Sequence, residues 1–272
     1  MRRKRGRLAR LVLAAAAVTI VFPLALTALW SVSSTWEWPS LLPGGFSLRG
    51  YEAVFAAYQR MPALLASSAG ISLAVAALST LAGLMAGRAI ALYRFPGRKL
   101  LLFGTMLPIL VPSTVFGMGA HVLLIRAGLA GTVRGVVLVQ TVCALPYTVN
   151  MLSDLTAAQG CGLEEQAQVL GCPPLRAFRE VSLPGLLPGI CASMSMAYII
   201  SYSQYFLTLL IGGGRVKTLS TVMVPFLGGG DRTVASAYAV TFLLSVLAVY
   251  LIFEGLIRHL TGRRGEDVWN WS

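Results

Sequence analysis

Six times the chain runs apolar for about the twenty residues that an α-helix needs to cross the hydrocarbon core of a bilayer. The runs lie near residues 11–32, 64–87, 100–125, 135–153, 187–211 and 234–257. In a membrane every backbone polar group must be satisfied within its own segment, so such runs are restricted to helices. Charged residues make up only 12% of the chain, against about 25% in a soluble domain. The expected fold class is therefore all-α: a polytopic membrane helix bundle with about six transmembrane helices. One transmembrane domain, 11–257, is expected between a basic N-terminus, 1–10, and a C-terminal tail, 258–272.

The 22 Lys and Arg residues give a net charge of +12. No basic patch interleaves with aromatics, so nucleic acid is not an expected partner. The cations instead gather at the ends of the apolar runs. If the N-terminus is inside, 15 of them fall in inner segments and 7 in outer loops. This asymmetry predicts an N-in, C-in topology. The basic start "MRRKRGRLAR" resembles a signal-peptide n-region, but the apolar run after it is long enough to span and no cleavage site closes it. An uncleaved first helix is expected. In the first outer loop Tyr51, Val54, Phe55 and Tyr58 recur at helical spacing and predict a short interfacial helix. The four cysteines form no CxxC pair and the two histidines lie far apart, so neither a disulfide framework nor a metal site is expected.

One segment breaks the apolar pattern. "EEQAQVLGCPPLRAFREVSLPG", residues 164–185, lies in an inner loop at about 156–186 and carries three Glu, two Arg and two Gln. A helix is expected over 163–170, with Glu164 and Glu165 favourably placed at its positive end. Gly171 stands where such a helix needs a left-handed terminal residue, and Pro173 and Pro174 forbid continuation. Pro174 can open a second short helix, "PLRAFREVSL", and Pro184 and Pro188 mark the return to the membrane. Ala167, Leu170 and Phe178 offer an apolar patch rimmed by charge. Such an elbow is either a surface connector or a docking surface for another protein.

The spacing of the elbow resembles a known pattern. Glu165-Gln166-Ala167, three residues, Gly171, nine residues, Val181, one residue and Leu183-Pro184 resemble the EAA loop of bacterial ABC importer permeases. Gln166 replaces an Ala of that pattern and Val181 an Ile. "GRAIALYRFPGRK" at 87–99 and "FSLRGYEAVF" at 46–55 are similar to further segments of the family, and the likeness covers about residues 45–257. It implies a permease subunit in a bacterial inner membrane, working with two ATPase subunits, a second permease subunit (identical or homologous) and a substrate-binding protein. It also implies that Glu165, Ala167 and Gly171, with Leu170 and Phe178 beside them, couple the permease to the ATPase. The substrate range that it suggests covers polyamine, iron, thiamine, sulfate and phosphonate.

No engine of its own is legible in the chain. "IGGGRVKTLS" at 211–220 lacks the Gly before Lys217 that a phosphate-binding loop needs, and reads as a flexible turn. No catalytic grouping and no cofactor site are apparent, so ATP hydrolysis falls to a partner. In the fifth run Ser195, Tyr198, Tyr202 and Tyr205 share an arc of roughly 80°. That stripe is either a face packed against neighbouring helices or a lining of the translocation path. Gln140, Asn150 and His121 add polar groups in other runs. Asp154 lies at the end of its helix, so the intramembrane acids of an ion-coupled secondary transporter are not evident. A membrane scaffold is the remaining alternative.

Overall fold

The computed structural model describes residues 2–34, 36, 40, 43–56 and 60–269, with side chains from residue 12 to residue 255 within those ranges. Twelve α-helices and one π-helical turn are assigned among the described residues: α1 Arg2–Ser31, α2 Arg49–Val54, α3 Met61–Leu92, α4 Arg98–Leu110, α5 Ser113–Arg126, α6 Val133–Gln159, α7 Gly162–Val169, α8 Pro174–Ala177, the π turn Phe178–Ser182, α9 Leu183–Tyr202, α10 Phe206–Gly212, α11 Leu219–Leu227 and α12 Arg232–Trp269. Among the described residues five helices are long and apolar enough to cross a membrane, and the bent pair α4 and α5 together would make a sixth span.

The chain divides into two compact units. The smaller, residues 1–63 and 222–245, is tied by polar groups around the start of α12. Asp231 caps that helix by accepting from the backbone N–H of Thr233 and Val234, and also pairs with Arg49 of α2 at 3.1 Å. The Thr233 hydroxyl donates to the Ser33 carbonyl, and Gly50 lies so close to the Thr233 carbonyl that a Cβ would meet it at 2.9 Å. The expected interfacial helix is thus α2, with Val54 buried and Phe55 at its end; Tyr58 lies outside the described residues.

The larger unit, residues 64–221 and 246–272, is organised on α6. Gly83 and Gly87 of α3 approach its flank, where a Cβ would meet Thr148 at 2.6 Å and Ser153 at 2.8 Å. Gly185 and Gly189 of α9 do the same against Gln159 and Leu155. Two small-xxx-small faces therefore bring α3 and α9 close to one central helix.

Three expectations need correction. The third span is not one straight helix, because α4 and α5 meet at 109°. Val111 is extended, as a residue preceding a proline tends to be, and that ends α4 at Pro112. The fifth span ends at Tyr202 instead of running to 211; Ser203, Gln204 and Tyr205 break it from α10. The elbow's second helix is not a separate piece either, for the chain is helical without interruption from Pro174 to Tyr202. The π turn explains how. The N–H of Leu183 reaches back five residues to the Phe178 carbonyl, which widens the backbone just before the ring of Pro184 needs room.

Candidate functional site

The elbow consists of α7, the turn at Gly171, and α8 with its π turn. The end of α7 is a Schellman closure: the N–H of Cys172 donates to the Ala167 carbonyl and that of Gly171 to Gln168. Gly171 has a φ of +89°, which is costly for a residue with a Cβ. On either side of this turn apolar side chains are exposed. Val169 is 87% exposed and Leu170 88%, with Leu163 and Leu175 exposed as well. Glu165 is exposed beside them and Ala167 is half-buried.

Phe178 does not join that outer patch. It is half-buried, and the Arg88 guanidinium lies over its ring at 4.5 Å from the centroid. The same guanidinium reaches the Glu164 carboxylate at 3.0 and 3.3 Å. Glu164 also accepts from the Ser182 hydroxyl at 2.5 Å, and the Gln159 amide donates to the Ser182 carbonyl at 3.1 Å. The Arg88 and Glu164 side chains are only 17% and 13% exposed. Burial alone raises the Glu164 carboxyl. The Ser182 hydroxyl outweighs it together with the hydrogen bond and charge of Arg88, so the group sits below its ordinary value. A cleft of about 150 Å³ opens beside this knot, bordered by Arg88, Tyr93, Glu164 and Glu165.

The hydroxyl stripe divides. Ser195, Tyr198 and Tyr202 lie together on α9 and are buried within this unit; Tyr205 sits past the break and is half-buried. The Tyr198 and Tyr202 rings stack at 5.6 Å, and Phe253 of α12 approaches Tyr198 at 6.1 Å. Ser195 donates to the Cys191 carbonyl of its own helix, whereas the buried Tyr198 hydroxyl has no hydrogen-bond partner among the described residues. Gln140, 2% exposed, donates to the Thr208 hydroxyl at 2.7 Å and accepts from Ser201 at 2.6 Å. Thr208 in turn donates to the Gln204 carbonyl inside the break. Asn150 is exposed and His121 half-buried.

The sequence reading missed Arg88, Glu164 and Ser182 as a group. The available signal was an Arg near the end of an apolar run and a second Glu beside Glu165. It also passed over Glu254, which borders a cavity of about 390 Å³ with Ser195, Met196 and Tyr250.

The model of the binding-protein-dependent transport system inner membrane component matches residues 79–265, which takes in the knot, the elbow and the spans around them. The chain belongs to that family. This permease is 25% identical over 227 residues to the trehalose transport system permease protein SugB of Mycobacterium tuberculosis, covering 82% of each chain. It is 27% identical to the sulfate transport system permease protein CysT of Salmonella typhimurium, covering 68% of this chain and 71% of that one. Against the putative 2-aminoethylphosphonate transport system permease protein PhnV of the same organism, identity is 25% and coverage 96% and 97%. A solved bacterial ABC transporter involved in the import of the acidic polysaccharide alginate superposes with a TM-score of 0.65 at 17% identity, covering 93% of this chain and 96% of that one, which bears on the fold. The chain is thus a multi-pass inner-membrane permease subunit of the ABC importer type, and such subunits are not themselves enzymes. Membership implies an ATPase and a binding protein as partners.

Proposed function

We propose that the permease forms a translocation path with a second permease subunit, identical or homologous, and that one of two ATPase subunits docks on its α7–α8 elbow from the cytoplasm. The N-in, C-in topology read from the Lys and Arg distribution puts the elbow on that side. The observation that carries the reading is the outward display of Val169 and Leu170 beside the left-handed Gly171, on an element that also exposes Glu165. Contiguous exposed apolar side chains on a polar element mark a protein contact. Glu165, exposed on α7, is the candidate to pair with a basic residue of the ATPase, while Ala167 and Gly171 set the shape of the turn.

A binding protein delivers a small polar solute to the outer face. Relatives named for sulfate and 2-aminoethylphosphonate transport support those parts of the range suggested by the sequence, and one named for trehalose extends it to a disaccharide. Ser195, Tyr198, Tyr202 and Tyr205 are the candidate path residues, exposed when α9 turns relative to its neighbours. The unpartnered hydroxyl of Tyr198 supports this, since a buried orphan costs about 1–3 kcal/mol that rotation toward water relieves.

The test is co-purification with the partner ATPase. Leu170→Asp is expected to remove the ATPase while leaving the permease in the membrane. Full retention of the ATPase by Leu170→Asp would remove the docking assignment.

A further inference from the structure

The short helix α7 is hinged at both ends. Gly160, with φ +69°, joins it to α6, and Gly171, with φ +89°, joins it to α8. Neither glycine has an atom within 4 Å of where a Cβ would stand, so neighbouring side chains do not brace these joints. A backbone of this kind lets α7 rock without dragging the helices on either side. One carboxylate ties it to the spans. Glu164 binds Arg88 of α3 on one side and Ser182, at the head of α9, on the other. Phe178 closes the far face of the guanidinium, and Gln159 at the end of α6 holds the Ser182 carbonyl. Glu165, one residue along, is exposed, and it neighbours the Cys161 thiol instead of the guanidinium.

We propose that Arg88 is a positioning residue for coupling: through Glu164 it converts rocking of α7 into displacement of α3 and α9 together. The proposal rests on the ATPase docking at the elbow. A guanidinium suits the role because its planar fork holds a carboxylate in a fixed direction while its face stacks on a ring, which an ammonium cannot do. Arg88 and Glu164 are sheltered enough that solvent does not loosen the pair, and near enough to the polar surface that the charges stay tolerable.

The experiment uses the assembled complex of permease, ATPase and binding protein, with thiol labelling as the readout. Cys143, Cys161 and Cys172 are replaced by Ser. The native Cys191 then reports on α9, and Ala82→Cys, in a parallel sample, on α3. Labelling is compared without nucleotide and with ATP and vanadate trapped in the ATPase. In the parent protein both reporters are expected to change rate by about tenfold, within the usual range of about 5- to 150-fold for coupled sites. The double variant Arg88→Gln/Glu164→Gln leaves no unpaired charge, so a merely stabilising pair predicts that it behaves as the parent. The proposal predicts instead that the ATPase still co-purifies while the response of Ala82→Cys falls to none. Arg88→Lys, which keeps the charge but not the fork, is expected to recover only part of it.

Absence of the ATPase from the parent complex removes the docking reading itself. Loss of the ATPase only in the double variant makes Glu164 a docking residue and overturns the proposal. So does an unchanged response of Ala82→Cys, and so does failure of the double variant to accumulate in the membrane.

Discussion

The two ends of α9 are both held by polar side chains, and they are held differently. At the Leu183 end the tie is ionic: Arg88, Glu164 and the Ser182 hydroxyl, partly open to the surface. At the Tyr202 end it is neutral and dry: Gln140 sits between Ser201 and Thr208 where the backbone breaks. Burying a neutral amide with all its partners costs little, but burying a charge costs several kcal/mol unless pairing is excellent. Charge is used where water and a partner can reach, and an amide where they cannot. The ionic end is the one that can respond to an outside event; the neutral end is a fixed joint.

The strongest way to break this comparison is at the dry end. Gln140→Ala deletes the centre of the network, strands the Ser201 hydroxyl and leaves a void. A loss of about 3 kcal/mol is expected, read as a lowered melting midpoint in detergent. At the ionic end Arg88→Gln alone leaves a sheltered carboxylate without its cation, and a loss of about 2 kcal/mol is expected. The double variant with Glu164→Gln should lose less in the same assay. If the double is as unstable as the single, the pair is not the unit described here.

Acidification sharpens the contrast. The Glu164 carboxyl is held below its ordinary value, so its contribution to stability is present at neutral pH and above the unfolded value of about 4.3. It is lost as pH falls through the folded value. Melting of the parent should therefore weaken further on acidification than that of Glu164→Gln, while Gln140→Ala keeps the parent's pH slope. Equal slopes in the parent and Glu164→Gln would mean that another carboxylate governs the acid limb. The smallest effect belongs to Arg176 and Glu180, an i,i+4 pair on the outer surface of the same elbow. Arg176→Ala is expected to leave the melting midpoint unchanged, because exposed pairs contribute almost nothing.

How much of this was legible in the sequence follows from the range of the forces involved. The spans were legible because apolar length is a local property, and α7 with its glycine terminus because caps are local too. The bend between α4 and α5 had a local signal in Pro112 that the apolar run concealed. The break at Ser203–Tyr205 had none: it holds no Gly or Pro, and it is stabilised by Gln140, more than sixty residues away in sequence. Pro184 and Pro188 suggested an interruption that the π turn removes. Glu164 and Glu165 are chemically alike and adjacent. Only the fold turns one toward Arg88 and the other toward solvent.

The glycines that flank α6 set limits on engineering. Replacing helical glycines by alanine is a common route to a hardier protein, with gains of about 0.4–1 kcal/mol where the site has room. Gly70, Gly104 and Gly119 have that room, with no atom within 4 Å of an added Cβ. Gly83, Gly87, Gly185 and Gly189 do not, since a methyl group there meets the central helix. A thermostabilised form for purification is therefore reached by editing the first three and sparing the other four, whose small size keeps the three helices in register.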